Sequence, residues 1–120
     1  AIQTKLEKVI SYTKQTMVAY MSEEDLNRLC TYVAEYSSGD TLQKITPVKV
    51  DSQLKSIDIM HFGWNIGKAF GRKRIHTATF IKNVFAHTLR DSEISTIERK
   101  MSHTESECRI KLNGEIGSII

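Results

Sequence analysis

Apolar residues recur at helical spacing along most of this 120-residue chain. Residues 2–21 and 22–39 each place their apolar side chains mainly on one face, and this pattern predicts two amphipathic helices. Almost no chain separates them, so we expect an antiparallel helical hairpin. Ser22 is the predicted N-cap of the second helix, with Asp25 reaching back to it. Gly39 is placed to end that helix in the left-handed conformation.

A third helix is predicted from Ser56 or Asp58 to about Phe70. Its apolar residues cover two faces, which is typical of a central and largely buried helix. Gly63 and Gly67 are four residues apart, so they share one face and leave a shallow groove. We expect that another helix can approach closely along this groove.

Two further helices are predicted beyond Gly71, which is placed to terminate the third. The fourth takes Thr77 as its N-cap and carries a wide apolar stripe as far as residue 89. A tight turn at residues 90–92 follows. It leads into a short fifth helix that ends near Met101.

The hydrophobic period changes near the C-terminus. Residues 108–112, CRIKL, alternate apolar and polar side chains, as a half-buried strand does. Asn113-Gly114 is a turn signal, and residues 115–120 can return as a second strand. The predicted fold is therefore mainly α, with about five helices in one compact domain and a small C-terminal β-strand or hairpin.

The predicted layout of this single domain, residues 1–120, has four parts. They are a helical hairpin (1–39), an irregular crossing segment around Pro47 (40–56), a three-helix unit (57–101) and a β element or tail (102–120).

Composition is that of an ordinary globular protein, with 40% hydrophobic and 26% charged residues. No apolar run approaches the roughly 20 residues needed to cross a bilayer. Lysines interrupt residues 1–21, which excludes a signal peptide there. We therefore expect a cytoplasmic protein without a membrane partner. Cys30 and Cys108 are interpreted as two buried thiols in a reducing compartment.

Charge is distributed unevenly along the chain. The 32 residues between Asp58 and Asp91 contain no carboxylate and six lysines or arginines, including the run Arg72-Lys73-Arg74. Because the whole chain carries a net charge of +3, the other 88 residues sum to −3. Such a confined positive region favours binding to polyanions.

Motifs for metal binding and catalysis are missing from the sequence. The four histidines, at 61, 76, 87 and 103, form no HxxxH or HExxH pair, and zinc needs three or four convergent ligands. No nucleophile elbow, phosphate-binding loop or dinucleotide fingerprint occurs. We therefore predict no metal, no cofactor and no catalytic residue, and we expect that the protein is not an enzyme.

The pattern over residues 78–101 predicts a helix, a short turn and a second helix, with residues 108–120 available as a wing. This organisation resembles helix-turn-helix and winged-helix DNA-binding domains over residues 57–120. The resemblance implies double-stranded DNA as a partner. Glu93 and Glu98 on the fifth helix count against a role in reading a DNA groove.

The leading hypothesis is a non-enzymatic nucleic-acid-binding or regulatory protein that contacts phosphates through its basic region. In it, the cations near residues 68–82 bind phosphate, and hydroxyls and cations of the fifth helix face a groove. The predicted contact residues are Lys68, Arg72, Lys73, Arg74, Lys82, Ser95, Thr96, Arg99 and Lys100.

The alternative is a helical protein-interaction module that self-associates as a homodimer. Its surface would come from the tyrosines of the first two helices, because tyrosine is enriched at interfaces. These tyrosines are Tyr12, Tyr20, Tyr32 and Tyr36.

The segment HFGWNIGKAF…FIKNVFAHTL also resembles small uncharacterised proteins of bacterial mobile elements. The resemblance covers about residues 57–101 and rests on a Gly-Trp-Asn-Ile core followed by a Phe-rich helix. It implies a bacterial cytosolic protein and no particular activity.

Overall fold

The computed structural model describes residues 4–39, 44–104 and 107–117. Five α-helices follow one another, and no β-strand occurs within these ranges. The mainly helical prediction is thus confirmed, and the C-terminal β element is wrong. The helices are α1 (Lys5–Met17), α2 (Glu23–Ser37), α3 (Ser56–Phe70), α4 (Arg74–Val84) and α5 (Ile94–Lys100).

The first two helices form the predicted hairpin, and side-chain caps fix where each begins. The Thr4 hydroxyl accepts the Glu7 amide proton at 3.1 Å, and the Ser22 hydroxyl accepts that of Asp25 at 3.1 Å. The Asp25 carboxylate does not reach back to Ser22. It pairs instead with Arg28 at 2.6 Å.

Helix α3 is central, as predicted, and packs against α1, α4 and α5. It begins at Ser56, where the Asp58 carboxylate accepts the Lys55 amide proton at 2.9 Å. It ends at Gly71, whose φ of 67° gives the left-handed cap that a side chain would strain. Buried side chains from all five helices join one hydrophobic core.

Helix α4 occupies the groove left by the two glycines of α3. A methyl group added at Gly63 would lie 2.8 Å from two carbons of Ile81, and one added at Gly67 would overlap Thr77. The close approach predicted from this spacing is confirmed. Thr77 is consequently buried in the middle of the contact and is not an N-cap. Helix α4 begins earlier, at Arg74.

Helix α4 ends at Val84, five residues before the predicted boundary. The apolar stripe continues through Phe85 and Leu89, which are fully buried in a turn rather than a helix. Residues 85–93 therefore separate α4 from α5, in place of the predicted three-residue turn. Burial alone does not reveal this, because a buried turn and a buried helical face both require apolar side chains.

A polar stripe on α3 holds the C-terminal segment, residues 107–117. Asp58 Oδ1 accepts the Arg109 and Ile110 amide protons, at 2.6 and 3.0 Å. One turn on, His61 Nδ1 lies 2.7 Å from the Ile110 carbonyl oxygen, and Nε2 bonds the His103 carbonyl.

Asn65 completes the stripe and is fully buried. Its Nδ2 donates to the Lys111 carbonyl and to the Tyr12 hydroxyl, each at 2.8 Å, and its Oδ1 accepts the Asn113 amide proton at 2.6 Å. The backbone groups that a ladder would pair thus bond to α3 side chains, which explains why no strand forms at 108–112. The predicted alternation is present as burial, since Cys108 and Ile110 are buried while Arg109 and Lys111 are exposed.

Part of the predicted crossing segment, residues 40–43, lies outside the described residues, as do residues 118–120 of the predicted second strand. From residue 44 onward the segment is irregular, as expected, and is tied to the helices. The Val48 amide donates to the Val84 carbonyl at 2.9 Å, and the Asp51 amide to that of Tyr20 at 2.7 Å. Val48 is fully buried.

Replacing Asp58 with asparagine tests the polar stripe. The two oxygens of the Asp58 carboxylate accept three backbone N–H groups, whereas an asparagine amide has only one acceptor oxygen. The NH2 group of the asparagine would face at least one backbone N–H, which is also a donor. We expect Asp58→Asn to lower the free energy of unfolding by about 3 kcal/mol. Urea denaturation measures this free energy of unfolding. Glu115→Gln, at an exposed site of the same segment, should change it by less than about 0.5 kcal/mol. Equal effects of the two variants would contradict this account.

Replacing Gly67 with alanine tests the α3–α4 contact. In an open helix the change would stabilise by up to about 1 kcal/mol. Here the new methyl group overlaps Thr77, so we expect a net loss of about 1–2 kcal/mol in thermal or urea denaturation. The control is Gly114→Ala, whose methyl group meets Trp64 at an ordinary 3.4 Å and should be near neutral. A stabilised Gly67→Ala would show that α4 lies farther away.

Candidate nucleic-acid interface

The glycine contact sets the end of α3 beside the start of α4, and only residues 71–73 join the two helices. A recess of about 260 Å³ opens at this corner. We call it the basic recess; it is lined by Trp64, Gly67, Lys68, Arg72, Arg74, Thr77 and Met101. Three of the predicted phosphate-contacting residues therefore converge, and no carboxylate is among its lining residues.

Arg72 is held against the end of α2. One terminal nitrogen, Nη2, donates to the Tyr36 and Ser37 carbonyls at 3.2 and 3.0 Å, and the guanidinium carbon lies 5.8 Å from the centre of the Tyr36 ring. The Ser37 carbonyl lies in the last turn of α2, where carbonyls lack intrahelical partners, and the Tyr36 carbonyl also accepts the Gly39 amide proton. Arg72 therefore joins α2 to the α3–α4 corner.

Arg74 makes an equivalent contact with the end of α5. Its Nη1 donates to the Ser102 hydroxyl at 3.1 Å, and its Nη2 donates to the Glu98 carbonyl. This contact brings the amino end of α4 next to the last turn of α5, which carries Arg99 and Lys100. Two parts of the chain that are separate in the sequence, the start of α4 and the last turn of α5, thus meet at Arg74.

None of the carboxylates in the described ranges forms an ion pair with a predicted site residue; the ion pairs there are Arg28 with Asp25 and Arg90 with Asp91. Arg72 and Arg74 are anchored by neutral acceptors, which are backbone carbonyls and one hydroxyl. The side chains of Lys68, Lys73, Arg99 and Lys100 are exposed.

Six of the nine predicted contact residues do not line the recess: Lys73, Lys82, Ser95, Thr96, Arg99 and Lys100. Lys82 is eight residues beyond Arg74 along α4, about 12 Å along the helix axis. Its ammonium donates to the Leu89 and Arg90 carbonyls, at 2.7 and 3.3 Å, and so holds the turn after α4. Ser95 and Thr96 lie in the first turn of α5, away from the last turn that Arg74 contacts.

Trp64 lines the recess but is not among the contact residues predicted from the sequence. It is partly buried and lines the recess, four residues before Lys68 and so on the same side of α3. The sequence signal that could have identified it is a tryptophan four residues before a lysine, on a helix that is followed by a run of basic residues. The two-faced apolar pattern of α3 concealed it, because that pattern assigns every large side chain to the interior.

The tyrosines of the alternative hypothesis form no common surface. Tyr32 and Tyr36 are buried, Tyr20 is partly buried against the core, and Tyr12 stacks on Phe62 with ring centres 5.8 Å apart. The Tyr36 hydroxyl bonds Thr77 at 2.6 Å, and the Tyr32 hydroxyl bonds the backbone of residue 46. The proposed tyrosine surface is therefore corrected: these side chains join α1 and α2 to the rest of the core.

A second recess, of about 510 Å³, lies between the start of α3 and residues 107–109. Its lining mixes signs, with Lys55 and Arg109 beside Asp58 and Glu107, and the Asp58 oxygens already accept three amide protons. It therefore favours no ligand of one charge.

In residues 4–39, 44–104 and 107–117, no three histidine, cysteine or acidic side chains are grouped closely enough to hold a metal ion. Nor does any helix in the same ranges combine the length and apolarity needed to cross a membrane.

Comparison with protein-family models, with curated proteins and with solved structures finds no match for this chain.

The Tyr36 hydroxyl beside the recess makes the fold sensitive to alkali. Burial raises the pKa of Tyr36 above its ordinary 10.0, and the bond to Thr77 and the Arg72 charge offset this only in part. Because the unfolded phenol ionises first, stability is complete below pH 10 and is lost as pH rises through the raised pKa. We expect a loss of up to about 1.4 kcal/mol per pH unit from this group.

Urea denaturation at a series of alkaline pH values measures this dependence. Tyr36→Phe should be less stable at neutral pH, where it lacks the hydroxyl bond, and should show a shallower fall above pH 10. Burial also raises the pKa of Tyr12. Tyr12 therefore contributes equally to the pH dependence of stability in both proteins. Identical slopes in the two proteins would contradict the assignment.

Proposed function

We propose that this protein is a non-enzymatic nucleic-acid-binding protein and that its basic recess contacts backbone phosphates. The observation that carries the proposal is the convergence of Lys68, Arg72 and Arg74 in one recess without a carboxylate in its lining. The Arg74 contact adds the basic end of α5 to the same region. Phosphate contacts of this kind supply most of the affinity of non-specific nucleic-acid binding.

The anchoring of the arginines favours phosphate binding. A guanidinium has five N–H donors, and Arg74 uses two of them on Glu98 and Ser102. Three donors remain for a ligand, and the side chain is already ordered. An ordered cation loses less conformational entropy on binding than a solvated one does.

The dimensions of α4 and α5 favour backbone contact over groove reading. Helix α5 has seven residues and carries Glu98, nine residues separate it from α4, and residues 107–117 form no wing strand. A recognition helix inserts its first residues into the major groove. Here the cations lie at the opposite end of the helix, where α4 begins.

Fluorescence anisotropy with a labelled random DNA duplex at low salt tests the proposal. We expect a dissociation constant below about 100 μM, the weak end of ordinary non-specific affinity. The slope of log K against log salt should be about −0.9 for each phosphate neutralised. The double variant Lys68→Gln/Lys73→Gln should weaken binding. It should also reduce the magnitude of that slope by the share of about two phosphate contacts.

The matched control is Lys49→Gln. Lys49 is exposed, and its amide bonds Asp25 at the start of α2. That point is twelve residues, about 18 Å along the axis, from Ser37 at the end of α2, which Arg72 contacts. Lys49→Gln removes the same charge and should leave the slope unchanged. Absence of binding at ~100 μM, or equal effects of both variants, would overturn the proposal.

A further inference from the structure

We propose that the basic recess takes one unpaired nucleotide of a single strand, with the base against Trp64 and its phosphate between Lys68 and Arg74. The inference rests on the proposed function and specifies its ligand. Its distinguishing feature is an aromatic ring beside converging cations in one recess.

The position of Trp64 suits a stacking platform. The benzene edge of its indole lies against Gly114, where an added methyl group would be 3.4 Å from Cη2 and 3.7 Å from the Lys68 side chain. The indole and the Lys68 stem thus lie beside one another next to Gly114, and both residues line the recess. Every base has a π face, so stacking on such a ring does not depend on sequence.

The cations line the same recess as Trp64. Lys68 lies one turn from Trp64 on α3, and Arg74 extends from α4, which the glycine contact holds against α3. A nucleotide presents a base and an anionic phosphate on one short unit. An aromatic ring and cations that line one recess match this pairing of apolar and charged surface.

The lining of the recess, which joins an aromatic ring to cations, favours an unpaired nucleotide over a duplex. A duplex keeps its bases stacked inside the helix and offers the protein mainly its phosphates. Only an unpaired nucleotide brings a base into the recess together with its phosphate.

The chain contains a single tryptophan, so intrinsic tryptophan fluorescence reports on Trp64 alone. We would titrate the full chain with three DNA ligands of equal length: an oligothymidylate, a strand of abasic sites and a duplex. The expected result is strong quenching by oligothymidylate, little quenching by the other two, and affinity for oligothymidylate about tenfold tighter than for the abasic strand.

Trp64→Leu provides the second measurement, by anisotropy with labelled ligands. It should weaken binding of oligothymidylate about tenfold, leave binding of the abasic strand unchanged and preserve the salt slope. Lys68→Gln should weaken both strands and reduce the slope. Circular dichroism checks that each variant is folded, and the wild-type quenching comparison needs no variant.

The outcomes separate this inference from the proposed function. Binding of all three ligands with equal affinity and no change in Trp64 fluorescence would overturn the nucleotide site and leave phosphate binding intact. Failure of all three to bind at ~100 μM would overturn both.

Discussion

The close approach of α4 to α3 is the constraint on which the basic recess depends. Without side chains at Gly63 and Gly67, α4 places Ile81 and Thr77 directly on the α3 backbone surface. Thr77 then meets the Tyr36 hydroxyl at 2.6 Å, which ties α2 to the same contact. A larger residue at Gly67 would push the start of α4 outward and carry Arg74 away from Lys68. The geometry of the recess therefore follows from the presence of glycine, which has no side chain, at positions 63 and 67.

A second property of α3 determines how the chain ends. Asp58, His61 and Asn65 are buried polar residues on one stripe, and all three bond the backbone near the C-terminus. Buried polar groups are costly unless they are paired, so the stripe favours this one path for residues 107–117. That path also places Gly114 beside Trp64. The core and the recess are thus positioned by different faces of one helix.

Periodicity and local chemistry predicted the helices, the Ser22 cap, the Gly71 terminator and the groove for α4. The errors arose where one local sequence pattern is compatible with two different structures. A threonine before an apolar run resembles an N-cap, but Thr77 is a buried contact residue. Burial of every second residue resembles a strand, but the backbone of residues 109–113 forms hydrogen bonds with side chains about 50 residues earlier in the chain.

The sequence also did not indicate which of the predicted cations the fold brings together. The run of cations was visible, but the carbonyls that hold Arg72 and Arg74 come from α2 and α5, and nothing in the local sequence identifies them. Lys82 has the same charge, yet it holds the turn after α4. Position in three dimensions decides which cation faces a ligand, and tertiary contacts set that position.

The most direct test of the central claim is a map of amide chemical-shift changes by NMR as a single-stranded oligonucleotide is added to the folded protein. Our account predicts changes concentrated at residues 64–77 and 98–102, together with the Trp64 indole N–H, and weakened by added salt. Changes centred on α1 and the first half of α2, or no salt-sensitive change at the recess, would contradict it.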